Sequence, residues 1–170
     1  MKADDEIKSG KADPGMFKRL RQMSLDMTPD QLGISFPPDK TVVFGVVMDW
    51  HVENGIMTLL SFQTGDASIY FSSGGGVIGG VKHEAVSKTA MEFVASAQNF
   101  LAQAVATESN QLPDDDCVKF YFLTNHGKFV ATEHVKNFEN NSSPLLALFI
   151  GANEVITALR ETAEKTHHHK

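Results

Sequence analysis

The sequence predicts an α+β fold: a single domain with an antiparallel five-stranded sheet and two long helices packed on it, in the chain order α-β-β-β-α-β-β-α. Three observations carry this. Short runs of β-branched and aromatic residues are joined by turns such as Asn54-Gly55 and His126-Gly127, too tight for a parallel crossover. Two later stretches, about 83–106 and 145–165, repeat apolar residues at steps of three and four, the period of an amphipathic helix. The chain has 170 residues, 42% hydrophobic and 21% charged, which suits one ordinary globular core.

The elements follow in order. Residues 1–12 are polar and are expected to form a disordered arm, followed by a short helical segment over 13–36. Asp13-Pro14 reads as a cap with a first-turn proline, and Met16, Phe17, Leu20 and Met23 give a short amphipathic helix over about 14–25. Thr28 and Gln31 are spaced as a capping box, and Phe36-Pro37-Pro38-Asp39 is extended linker. The α+β domain proper is expected over 37–165, with 166–170 a polar tail. Val42 to Met48 is continuously apolar, the pattern of a strand buried on both faces or at the sheet centre. Ile56–Phe62 and Ala67–Ser72 continue a meander. After the long helix, residues 118–123 and about 128–135 form a hairpin, and Ser143-Pro144 opens the last helix. Small profilin-like and roadblock-like domains have a similar arrangement of elements, a likeness that implies no function.

Charge and cysteine bound the setting. Fifteen basic against 21 acidic residues leave a formal charge of −6, without the basic footprint of a nucleic-acid binder. Lys18, Arg19 and Arg21 read as a solvated helix face. Cys117 is the only cysteine, so no intrachain disulfide forms and the cytoplasm is the default. No apolar run approaches the roughly 18 residues of a membrane span. The tag-like His167-His168-His169-Lys170 is set aside from functional reasoning.

Six of the 13 glycines fall between Gly65 and Gly80. Gly74, Gly76 and Gly79 satisfy the spacing G-x-G-x-x-G, but the strands before them form hairpins where a dinucleotide site needs a βαβ unit. What stays is an amide-rich passage from the third strand into the longest helix. Ser72, Ser73, Gly74, Gly75, Gly76, Gly79, Gly80, Lys82 and His83 are candidates for holding a small anion at the helix N-terminus. Asp49, Trp50 and His51 end the most buried strand and are candidates to line a pocket, with Asp49 and His51 on one face. No nucleophile elbow, zinc pattern or calcium loop occurs. No catalytic residue, metal ligand or cofactor is therefore assigned.

Apolar residues exceed what one sheet face requires. Leu146 and Ile150 lie off the main stripe of the last helix, and the N-terminal helix sits outside the sheet domain. The expectation is a small, soluble, cytoplasmic accessory module, leaning away from an enzyme, that acts by contact with a protein partner or as a homodimer, with no nucleic acid and no membrane. The alternative is a small-molecule or anion-binding domain, or an enzyme, built on the loop 72–80 and the following helix.

Overall fold

The computed structural model describes residues 14–79 and 82–168. The expected arm over 1–12, the cap Asp13 and Gly80 lie outside the described residues. The centre of the molecule is β1 (Val43–Val52), paired antiparallel with β2 (Gly55–Phe62) on one side and β6 (Cys117–Thr124) on the other. The Asn54-Gly55 turn closes the first hairpin, with Gly55 at φ 133°. Beyond β2 lie β3 (Ala67–Phe71) and β4 (Gly76–Gly79), and beyond β6 lie β7 (Gly127–His134) and β5 (Val105–Ala106). The order across the sheet is β4-β3-β2-β1-β6-β7-β5.

Among the described residues the sheet thus has seven strands, where the sequence pattern suggests five. β4 arises inside the glycine segment. Gly74 and Gly75 take φ 113° and 77°, a left-handed turn that glycine makes without steric cost. That turn brings Gly76–Gly79 back along Ala67–Tyr70. β5 arises because the long helix stops early. The α2 helix (Glu84–Ala97) gives way to a 3-10 turn over Gln98–Gln103. The Gln98 side chain accepts from the Val43 N–H at 2.8 Å and donates to the Thr41 carbonyl at 3.1 Å. It ties the helix end to the start of β1, and the chain then extends at Ala104 to pair Val105 and Ala106 with β7. The expected loop after β7 contains a short helix, α3 (Val135–Glu139), before α4 (Leu146–His167).

β1 serves two cores through the alternation of its side chains, interrupted by a β-bulge between Val43 and Gly45. The bulge puts Phe44 on the same side as Val47, while Val43, Val46 and Met48 face the other way. A Cβ at Gly45 would meet the Phe62 ring at 2.8 Å, so the bulge position has room only for glycine. The larger core joins Val46, Met48, Leu59, Phe120 and Phe122 to α2 and α4 through Val86, Phe93, Leu148, Val155 and Leu159. The smaller core, with Phe44, Val47, Leu60, Tyr121 and Leu123, is covered by Leu25, Met27, Leu32, Ile34 and Phe36.

Those covering residues belong to α1 (Pro14–Leu25) and the segment after it. The capping box is formed: the Thr28 N–H donates to Gln31 Oε1 at 2.9 Å and the Gln31 N–H to Thr28 Oγ1 at 3.4 Å. The buried face of α1 departs from the apolar stripe expected of it. Phe17, Arg21, Ser24 and Leu25 are buried, whereas Met16 and Met23 are exposed. Arg21 is therefore no part of a solvated basic face. Among the described residues no helix is long and apolar enough to cross a membrane.

Candidate functional site

The structure does not gather the described sequence-predicted site residues into one place. Ser72 to Gly75 form the tip of the β3–β4 turn, where Ser72 Oγ accepts from the Ile56 N–H at 2.8 Å and so braces the neighbouring strand. Gly76 and Gly79 lie on β4 itself. A Cβ at Gly76 would collide with the Ile69 carbonyl oxygen, and one at Gly79 with Leu159 on α4. These glycines permit close approach of β4 to its neighbours. Lys82 and His83 are exposed at the far end of β4, where they border a depression of about 250 Å³ with Val77, Ile78 and Thr162.

Asp49, Trp50 and His51 are separated by the pleat. Asp49 is fully buried under α1. Its carboxylate accepts from Arg21 Nε at 3.1 Å, from a second Arg21 nitrogen at 2.7 Å and from the Thr58 hydroxyl at 2.5 Å. Arg21 also donates to the Asn110 carbonyl at 2.8 Å. A buried carboxylate with every partner supplied this way holds a helix in register and has no lone pair directed at a ligand. His51 shares that face but turns to the exposed Asp115, 3.0 Å away, so the two do not form an Asp–His pair. Trp50 points to the opposite face, toward α4.

Cys117 is buried, with its Sγ 3.4 Å from His134 Nδ1. Burial pushes the thiol pKa up, and the carboxylates of Asp114, Asp116, Glu133 and Asp115 push it further. A thiol held protonated in this way is a poor nucleophile. Among the described residues no group of three or more His, Cys, Asp or Glu is placed to hold a metal ion.

The feature that does gather residues is a groove of about 930 Å³ between α2, α3 and α4. Its floor is aromatic. Trp50 meets Phe149 edge-on at 5.0 Å between ring centroids, and Phe149 stacks on Phe138 at 4.1 Å and 10°. Leu146, Ile150 and Val135 continue the apolar surface, and Ile150 is 50% exposed. Four carboxylates, Glu92, Glu139, Glu154 and Glu161, stand exposed along the same lining.

Local hydrogen bonds set this geometry. Glu133 at the end of β7 accepts from Ser143 Oγ at 2.7 Å, Asn137 Nδ2 at 2.6 Å and the His134 N–H at 2.9 Å. One carboxylate thus ties α3 to the chain entering α4. Burial pushes the Glu133 pKa up, but these three donors outweigh it and hold it below the ordinary value. Phe138 is positioned as a result.

Sequence reasoning marked Trp50, Leu146 and Ile150 separately and missed Phe138, Phe149 and the carboxylates. The signal within reach was Leu146 and Ile150 lying off the main stripe of α4, which asks for a second apolar contact. The part contributed by α3 depends on a turn that no periodicity reveals. No family model, no curated protein and no solved structure matches the chain.

Proposed function

We propose that the chain is a non-enzymatic interaction module that receives a protein partner in the groove between α2, α3 and α4. The observation that carries this reading is the uncovered apolar surface there: Ile150, 50% exposed, beside the partly buried rings of Trp50 and Phe149. An apolar patch rimmed by charge is the usual form of a contact surface. The α1 helix is not such a surface in this reading, since its buried face, with Phe17, Arg21 and Leu25, covers the second side of the sheet. A free, buried cysteine fits a reducing compartment such as the cytoplasm.

The test is affinity capture from cell extract with the native chain and with Ile150→Asp. Residue 150 is exposed enough for the substitution to leave the melting temperature unchanged. At least one polypeptide should be retained by the native chain and lost by the variant. Identical retention by both would refute the reading.

A further inference from the structure

We propose that the occupant of the groove is a basic amphipathic helix of a partner protein, with its apolar side on Trp50, Phe149 and Ile150 and its lysines or arginines along Glu92, Glu139, Glu154 and Glu161. This rests on the groove being the partner face, and it adds the shape and charge of what binds.

Shape comes from the two long walls. The α4 residues in the lining recur at Leu146, Phe149 and Ile150, Asn153 and Glu154, Thr157 and Ala158, and Glu161, one face of one helix. Ala85, Thr89 and Glu92 do the same on α2. A Cβ on Gly151 would meet Phe93, and one on Gly79 would meet both Leu159 and Val86, so α2 and α4 run antiparallel side by side. Two adjacent helices leave a groove that accepts the ridge of a third. From Leu146 to Glu161 the wall is roughly 22 Å long at 1.5 Å per residue, which is about four helical turns.

Charge comes from the rim. Among the described residues the lining holds four glutamates and no Lys, Arg or His, on a chain whose formal charge is −6. A second copy meeting this one face to face would set carboxylates against carboxylates, which is unfavourable. The chain's own residues 1–13 fit no better. They carry four acidic against three basic side chains, with Ile7 the one large aliphatic residue after Met1. A segment with apolar residues at i, i+3, i+4 and i+7 and basic residues on its flanks satisfies both the floor and the rim.

The probe is a synthetic capped peptide of about 16 residues with that pattern, leucine on the apolar side and lysine on the flanks. Two controls accompany it: the same peptide with glutamate for lysine, and a lysine peptide of scrambled order. Trp50 is the only tryptophan, so its emission reports occupancy of the floor directly, and anisotropy of a labelled peptide gives the affinity. The lysine peptide is expected to bind with a blue shift of Trp50, and to weaken between roughly 50 and 200 mM salt as rim charges are screened. Ile150→Asp should abolish the shift. Glu154→Lys combined with Glu161→Lys should weaken the lysine peptide at least about tenfold and favour the glutamate peptide instead.

If the glutamate peptide binds the native chain as tightly, the basic occupant is wrong while the groove stays a partner face. If the scrambled peptide binds as tightly, the helical occupant is wrong. If no peptide shifts Trp50, the inference falls, and the capture experiment decides separately whether the partner reading falls with it. Light scattering that shows a dimer dissociated by Ile150→Asp would identify a second copy as the occupant and overturn the proposal.

Discussion

Replacing Arg21 by methionine removes the cation and keeps most of the aliphatic stem, which isolates the role of the charge in holding α1. Asp49 has no exposure and Arg21 has 7%, with a closest approach of 2.7 Å. Charges 4 Å apart attract by about 4 kcal/mol at an effective dielectric of about 20, and desolvation of each ion costs several kcal/mol in return. The intact pair is therefore close to balance. Loss of one member leaves the desolvation cost standing, and Thr58 alone cannot satisfy a buried carboxylate. Arg21→Met is expected to destabilise the protein by about 3–5 kcal/mol, whereas Arg21→Met with Asp49→Leu should recover most of that loss. Urea unfolding followed by Trp50 emission measures both, and limited proteolysis within residues 26–42 reports whether α1 has lifted. A loss under about 0.5 kcal/mol for Arg21→Met would refute the argument, since surface substitutions fall in that range.

Three further outcomes follow from the structure. Ser61 Oγ is buried with no hydrogen-bond partner among the described residues, so Ser61→Ala should be neutral or stabilising by up to about 1 kcal/mol; a clear destabilisation in urea would show that the hydroxyl has a partner. Gly76→Val must push β4 off the Ile69 carbonyl and should cost about 1–3 kcal/mol. An unchanged melting temperature, with loss of a phosphate- or citrate-induced shift instead, would make the turn a ligand site. Glu133 has its pKa held below its ordinary value of 4.5, so its contribution is present above that pH and lost as pH falls through the lower folded value. Melting temperatures of the native chain should therefore drop more steeply below pH 4.5 than those of Glu133→Gln, and parallel curves would contradict the role given to that carboxylate.

Local periodicity made the main elements legible. The uninterrupted run Val42–Met48 reads as a strand buried on both faces or at the sheet centre, and β1 is both. The stripe on α2 and the start of α1 at Pro14 were equally readable. β4 and β5 were not, because each is four residues or fewer and is specified by what it pairs with. The buried face of α1 was misplaced for a related reason. Its apolar residues Met16 and Met23 matched a helical period, but the register is set by Arg21 reaching Asp49, 28 positions away. A lone aspartate inside an apolar strand was the clue that a cation had to be buried opposite it. The groove was half visible, in Leu146 and Ile150. Its aromatic floor required knowing that Phe138 and Trp50, far apart in the chain, arrive on the same side of the sheet.

The bulge at Val43 and Gly45 has a bearing on tolerance to insertion and deletion. Because the pleat alternates strictly, Val43 and Val46, three positions apart, share a face only through that one extra residue. The rest of β1 takes its phase from the unbroken register with β2, from Gly45 opposite Phe62 to Val52 opposite Gly55. Shortening the chain by one position at the bulge would therefore regularise the ladder with β6 and leave the Asp49 carboxylate beneath α1 and the Trp50 indole over the α2–α4 layer. The indole that reports on the groove owes its place to the Asn54-Gly55 hairpin at its own end of the strand.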